Sequence, residues 1–247
     1  MSNIMTDAEL AADLAQSAGR ILMELREGSG FEGNELGKAG DEAANEFLVN
    51  ALREKRPDDG LLSEESKDTG ERHRRSRVWI VDPVDGTREY GEGRSDWAVH
   101  VALAIDGVAS IGAVALPALD GGVVLRTDKI RQLPIYDGPP RLVVSRTRPA
   151  AEAVSVAKRL GGKLVPMGSA GAKAMAVVRG EAEIYLHSGG QFEWDSCAPV
   201  AVATAYGLHC SRIDGSPLLY NQRDTYMPDL LICRKEWADR VFATLKG

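Results

Sequence analysis

Leu10, Leu14, Ala18, Ile21, Leu22 and Leu25 recur at helical spacing and mark one buried face of a helix from about residue 6 to Arg26. Thr6 and Glu9 make a capping box at its start, and Gly28-Ser29-Gly30 breaks it. A loop punctuated by Gly33, Gly37 and Gly40 leads to Asp41. There a second helix opens, with Ala44, Phe47, Leu48, Ala51 and Leu52 as its stripe. The period then changes. Leu61-Leu62-Ser63 reads as a short strand, and Val78-Trp79-Ile80-Val81 as a buried one whose ladder ends at Pro83, which has no N–H. Between them, residues 67–77 are polar and basic, with Arg72, His73, Arg74, Arg75 and Arg77. They read as a solvated loop, with a lid over an anionic substrate as the alternative. From Trp97 to Ile105 bulky and small residues alternate, Asp106-Gly107 signals a hairpin, and Val108–Leu116 and Val123–Leu125 continue an antiparallel meander.

The second half alternates strands and helices. Strands are expected at Leu142–Val144, Lys163–Val165, Glu183–His187, Leu208–Ile213 and Leu230–Ile232. Helices are expected from Pro149 to Leu160, up to Arg179, over Ser196–Tyr206 and at the end of the chain. The pattern predicts an α/β (α+β) layered fold. Pro139-Pro140 marks a boundary between an N-terminal unit (1–139) and a C-terminal α/β unit (140–247).

The chain has 247 residues, 44% hydrophobic and 27% charged, which is a globular composition. A net charge of −6 argues against a nucleic-acid polymer as partner. The most apolar stretch, Val108 to Leu119, is too short to span a bilayer. Three cysteines without C-x-x-C spacing, and an acidic N-terminus without an apolar signal core, lead to the expectation of a cytoplasmic protein with free thiols.

The chemistry concentrates at Asp82 and Asp85. Two carboxylates held close at the rim of a core repel unless one takes a proton or a cation sits between them, and hard oxygens suit Mg²⁺. The Val84 carbonyl lies between the two, and Gly86 and Thr87 offer backbone N–H groups to an anion. A surface Asp-Gly turn is the plainer reading. Glu64, beside Glu65, is open between a solvated turn and a ligand, Asp41 between a helix cap and a catalytic group, and Asp195 between a helix-start acid and a ligand. His100 reads as a core histidine.

Ser63-Glu64-Glu65-Ser66, Trp79-Ile80-Val81-Asp82-Pro83-Val84-Asp85-Gly86-Thr87 and Trp194-Asp195-Ser196, in this order, resemble the motifs of the lithium-sensitive, Mg²⁺-dependent phosphatases of the inositol monophosphatase superfamily. Asp85-Gly86-Thr87-Arg88-Glu89-Tyr90 is similar to the corresponding stretch of its CysQ-type 3′(2′),5′-bisphosphate nucleotidases. Leu142–Thr147, with its Ser145-Arg146 turn, and Ser169–Lys173 resemble their nucleotide side. The resemblance implies an αβαβα sandwich of a meander sheet and a smaller mixed sheet. It implies two or three Mg²⁺, inhibition by Li⁺, and a homodimer. The first ion is implied at Glu64, Asp82 and the Val84 carbonyl and the second at Asp82, Asp85 and Asp195, with Thr87 and Asp41 activating water. Arg88, Arg146 and Lys173 become candidates for the 5′-phosphate or adenine side, with an ordinary surface cation as the alternative for each. Tyr185 and His187 lie in the stretch that closes over the nucleotide. Two departures stand out: Glu35–Gly40 precedes Asp41 where the family often has P-V-T, and Pro199 stands where relatives often have Gly.

The implied activity is hydrolysis of 3′-phosphoadenosine 5′-phosphate, or of its sulfated form, to AMP or adenosine 5′-phosphosulfate and phosphate. Inositol monophosphatase or fructose-1,6-bisphosphatase activity is the nearest alternative. A non-catalytic cation- or nucleotide-binding module is the alternative of another class.

Overall fold

The computed structural model describes residues 5–246. The helix α1 (Asp7–Gly28) begins at the expected capping box: the Thr6 hydroxyl accepts from the Glu9 N–H at 3.2 Å and the Glu9 carboxylate accepts from the Thr6 N–H at 2.9 Å. The helix α2 (Gly33–Lys55) starts eight residues before the expected Asp41, so the glycines read as a loop are helical. Packing explains their use. A Cβ on Gly40 would lie 2.6 Å from Tyr90 Cε1, and one on Gly37 would lie 2.8 Å from Thr87 Cγ2. The bare stripe lets the short helix α3 (Thr87–Gly91) press against α2, and Asp41 therefore sits inside a helix rather than capping one.

The strands β1 (Gly60–Ser63), β2 (Arg77–Asp85), β3 (Ala98–Ile105), β4 (Val108–Leu116) and β5 (Val123–Arg126) form one sheet in that order, parallel at β1–β2 and antiparallel elsewhere. The Asp106-Gly107 turn takes positive φ at both residues, 50° and 79°, as a tight hairpin requires. The second sheet is built from β6 (Arg141–Ser145), β7 (Lys163–Met167), β8 (Ile184–Phe192), β9 (His209–Ser211) and β10 (Tyr226–Cys233), in the order β7-β6-β8-β10-β9. It is mixed, as expected, and also has five strands. The strand β8 runs through Gly189-Gly190, which had read as its end, because β10 pairs with it as far as Phe192.

The remaining helices, α4 (Ala151–Leu160), α5 (Ala170–Val178), α6 (Glu193–Ala205) and α7 (Lys235–Lys246), complete five layers. Trp79, Val81, Val99, Val101 and Leu103 pack on α1 and α2. Val78, Ile80, Ala98, Ala102 and Ala104, on the opposite face, join α5, α6 and the second sheet in one apolar cluster. Leu142, Val144, Ile184 and Leu231 cover α4 and α7. The alternation read along Trp97–Ile105 thus divides two buried cores, not a core from solvent. The fit is close: a Cβ on Gly112 of β4 would come within 3.0 Å of the Ala198 carbonyl of α6.

The basic segment 67–77 is largely the exposed loop expected, with His73, Arg74 and Arg75 at the surface; the exception is Arg72, buried within the single 3-10 turn Glu71–Arg74.

Gly40→Ala is expected to destabilise the protein by about 1–3 kcal/mol by overpacking against Tyr90 and Leu22. Gly28→Ala, with nothing within 4 Å of the new Cβ, is expected to be neutral or mildly stabilising. Urea unfolding of the two variants checks both, and equal effects would remove the close-packing explanation.

Candidate active site

Side chains three apart on a regular strand point to opposite faces. Asp82 and Asp85 do not, because β2 carries an extra residue between them. Asp82 pairs with His100 and Asp85 with Ala98, so three steps on β2 match two on β3. Such a bulge bends the strand and re-aims its side chains. Pro83 sits inside this irregularity, where its missing N–H removes no regular ladder bond, and the strand continues to Asp85 instead of stopping. Both carboxylates then face the layer of α5 and α6 while Val84 packs toward α1 and α2.

Asp82, Asp85 and Asp195 each place a carboxylate oxygen within 4.8 Å of the others. Asp195 lies in the first turn of α6, where its Oδ2 accepts from the Phe192 N–H at 2.6 Å. Glu64 follows β1 at the rim, close enough to Asp82 to raise its pKa and close enough to Asp195 for its own to be raised. Asp82 is 1% exposed, its Oδ1 accepts from the Val84 N–H at 3.1 Å, and desolvation with the charges of Glu64, Asp85 and Asp195 raises its pKa well above the carboxylate range. Desolvation and Asp195 push Glu64 to about 7, and desolvation and Asp85 push Asp195 to about 7.

Asp85 behaves differently because it is surrounded by donors. The start of α5 turns its N–H groups on it, with Ala170 to Oδ1 at 3.0 Å and Gly171 to Oδ2 at 2.5 Å. The Ser169 hydroxyl adds a further donor to Oδ2. His100 Nε2 lies 3.2 Å from the same oxygen and its Nδ1 lies 3.0 Å from the Trp194 carbonyl. Burial raises the pKa of Asp85, but His100, Ser169 and Lys173 outweigh it and hold the acid at about 2. His100 therefore lies between Asp85 and the residue before Asp195. Its role and that of Ser169 escape a reading of the sequence. The available signals were one polar residue in the Ala98–Ala104 face and Gly168-Ser169 ahead of a helix.

The second feature is the pair Asp41 and Thr87. The Thr87 Oγ1 lies 3.2 Å from Asp41 Oδ1 and 3.1 Å from the Val84 carbonyl, two acceptors for one hydroxyl proton. Desolvation and the charge of Glu65 raise Asp41 to about 7. A cleft of about 420 Å³ lined by Asp41, Glu65, Thr87 and Arg88 opens onto the pair.

The other candidates are placed as follows. Gly86 takes a left-handed φ of 88° at the turn into α3. Arg88 is exposed and pairs with Glu92 at 2.8 Å. Arg146 pairs with Glu89 at 2.9 Å and Glu92 at 2.6 Å. Ser145 accepts from the Arg148 N–H at 3.2 Å. Lys173 is buried, not extended to the surface, and donates to the carbonyls of Gly168 (3.1 Å) and Ser169, so it braces the turn that holds Asp85. Tyr185 is buried and its hydroxyl accepts from Gln191 at 2.8 Å. His187 Nε2 lies 2.9 Å from the Gly189 carbonyl, and burial lowers its pKa. The structure thus brings together Asp82, Asp85 and Asp195, with Glu64 beside them, and separately Asp41, Thr87 and the Val84 carbonyl. It pairs Arg88 and Arg146 with carboxylates.

The donor set fits a hard divalent cation: its ligands are all oxygens, and their mutual repulsion is what such an ion removes. The model for the inositol monophosphatase family matches residues 5–246. The chain belongs to the inositol monophosphatase family. A relative from Mycobacterium leprae (strain TN), named 3′-phosphoadenosine 5′-phosphate phosphatase, is 48% identical over 256 residues, covering 98% of this chain and 94% of the relative. One of the same name from Mycobacterium bovis is 51% identical over 231 residues, covering 90% and 86%. The crystal structure of CysQ from Bacteroides thetaiotaomicron, a bacterial member of the family, superposes with a TM-score of 0.80 at 24% identity, covering 94% of this chain and 98% of that one. That likeness supports the family's layered fold. Among the described residues no helix is long and apolar enough to cross a membrane.

Mg²⁺ is expected to raise the melting temperature of the wild type, by about 2.7 kcal/mol of stability at a free concentration near 100 times Kd. Asp82→Asn is expected to lose that shift while its metal-free melting temperature stays at or above the wild-type value, since one of several crowded acids is gone. Calorimetric melts with and without Mg²⁺ check this; an undiminished Mg²⁺ shift in the variant would remove Asp82 from the metal set.

Proposed function

We propose that this chain is a Mg²⁺-dependent phosphomonoesterase that hydrolyses the 3′-phosphate of 3′-phosphoadenosine 5′-phosphate, giving AMP and phosphate. The observation that carries the reaction class is the convergence of Asp82, Asp85 and Asp195 near a hydroxyl–carboxyl pair, Thr87 and Asp41. The choice of substrate is supported by the names of the mycobacterial relatives at about half identity. Glu64, Asp82, the Val84 carbonyl, Asp85 and Asp195 would hold the metal, which supplies charge to a phosphoryl group and acidity to water.

The chain's own groups do the rest. With Asp41 ionised, the Thr87 proton points to Asp41 and its oxygen lone pair faces outward as an acceptor for a water hydrogen. Water so oriented attacks phosphorus as the bond from phosphorus to the ribose oxygen breaks; one water proton passes to Asp41, and the departing ribose oxygen takes its proton from solvent water. Asp41 is tuned to about 7, suited to receiving the proton that water gives up near neutral pH. The amides of Gly86 and Thr87 hold phosphate oxygens. No Cys or Ser nucleophile enters the scheme. Arg88, Ser145, Arg146 and His187 belong to the nucleotide side, with the buried Tyr185 behind them, and the two arginines exchange their Glu89 and Glu92 partners for phosphate. The same reading carries two or three Mg²⁺ ions, inhibition by Li⁺, the sulfated nucleotide as a second substrate, a homodimer, a cytoplasmic setting and a division of the chain near residue 139.

Steady-state kinetics with Mg²⁺ on 3′-phosphoadenosine 5′-phosphate, inositol 1-phosphate and fructose 1,6-bisphosphate test the assignment. The nucleotide is expected to lead in kcat/KM by tenfold or more, about 1.4 kcal/mol. Preference for inositol phosphate would overturn the substrate, and no phosphate release from any of the three would overturn the enzyme. Asp41→Asn is expected to lower kcat by about 10²- to 10⁴-fold with little change in KM.

A further inference from the structure

Asp82 and Asp85 share one strand, but Asp195 reaches them from the other half of the chain on the first turn of α6. Whether the three close on one point depends on where that turn is held. The body of α6 is fixed by packing on β3 and β4, and its first turn is fixed by a separate polar device. The Glu193 N–H donates to the Thr225 carbonyl at 2.9 Å. The Glu193 carboxylate, 1% exposed, accepts the N–H of Asn221 at 2.7 Å on one oxygen and the N–H of Gln222 at 2.7 Å on the other.

The same two residues are gripped from their opposite side. Arg72, 2% exposed, donates one guanidinium nitrogen to Asn221 Oδ1 at 2.7 Å and another to the Gln222 carbonyl at 2.9 Å. Asp68 fixes the guanidinium in turn, with its Oδ2 3.0 Å from Nε and 2.9 Å from the second terminal nitrogen. Asn221 takes a left-handed φ of 58° that lets the turn present N–H groups to Glu193 and oxygens to Arg72. A buried cation and a buried anion are therefore matched through the dipoles of one short turn. Charge-assisted bonds of this kind are strong and directional. Arg72 itself follows Glu64 by eight residues, in the segment that joins β1 to β2, so the device ties the Glu64 side of the cluster to the helix that carries Asp195.

We propose that Arg72 and Glu193 are positioning residues that set the metal affinity of the site, by clamping the 221–222 turn between them and so holding Asp195 against Asp82 and Asp85. The proposal rests on the reading of the acidic cluster as a metal centre. It gives the basic 67–77 segment a task at the joint rather than over the substrate. Groups that orient a ligand without touching the metal commonly govern its affinity.

Calorimetric titration of Mg²⁺ into wild type, Arg72→Lys, Glu193→Gln and Asn221→Gly, with melting curves and steady-state kinetics on each, tests this. The lysine cannot span both acceptors, and the glutamine turns an amide against one of the two N–H donors. Asn221→Gly tolerates the backbone φ and keeps the N–H to Glu193, removing only the side-chain bonds to Arg72: the Oδ1 acceptor for its guanidinium and the longer Nδ2 donor to its carbonyl, 3.4 Å. The expected result is Mg²⁺ binding weakened about 10- to 100-fold, with turnover largely restored at saturating Mg²⁺ and KM for the nucleotide little changed. Lower melting temperatures with wild-type Mg²⁺ affinity would reduce the clamp to a structural tie and overturn the proposal. If the first two variants do not fold, Asn221→Gly decides alone. Wild type that takes up no Mg²⁺ would remove the metal centre itself, and the clamp's assigned role with it.

Discussion

Buried like charge is the constraint around which this molecule is arranged. Asp82 and Asp85 lie on one face of one strand, nearly closed to solvent, with Asp195 within reach. Burial of ionised carboxylates without compensation is strongly unfavourable. The structure meets that cost unevenly. Asp85 receives the start of α5, the Ser169 hydroxyl and His100, and stays a strong acid. Asp82 receives one backbone N–H and three acidic neighbours, and is left with a raised pKa. This asymmetry creates one anchored carboxylate and a group of acids whose charge a cation would stabilise.

Several features of the fold serve that arrangement. The bulge at Pro83 turns two aspartates of odd spacing to the same side. The small residues Ala98 and Gly171 leave room there. A Cβ on Gly171 would fall 2.0 Å from His100 Nε2, so α5 can approach Asp85 only with glycine at that position. On the other face of β2, the glycine stripe of α2 brings Asp41 to Thr87. Asp82, Asp85 and Thr87, from one short segment, thus meet Asp195 of α6 and Asp41 of α2, with helices packed on both faces of the sheet. The acid supplied from beyond residue 139, Asp195, is held through hydrogen bonds between residues 149 and 150 positions apart, Arg72 to Asn221 and Gln222.

Local rules were readable wherever the physical cause was local. The Thr6–Glu9 box, the Asp106-Gly107 hairpin, the apolar runs of β2 and β3, and the helix–strand alternation of the second half depend on neighbours a few positions away. Readings that took glycine as a break went astray in α2 and β8. There glycine marks close approach by Tyr90 and Thr87, or sits in a strand continued by pairing with β10. Within the charge run at 67–77, which is otherwise exposed, Arg72 could not be singled out as buried because its partners lie in another part of the chain. Lys173 read as a nucleotide-side or surface cation for the same reason, since nothing near it in sequence shows that Tyr185 and the Gly168 turn enclose its ammonium.

By itself the sequence determined the kinds of element, their order, and the residue types able to hold a hard cation and activate water, because propensity, capping and ligand chemistry are properties of short stretches. The tertiary structure alone decided which acids share one point and which of them is kept ionised by donors. It also decided which cations are already committed to carboxylates, and what holds the first turn of α6. Those outcomes depend on desolvation and on contacts between residues far apart in the chain, which no local pattern encodes.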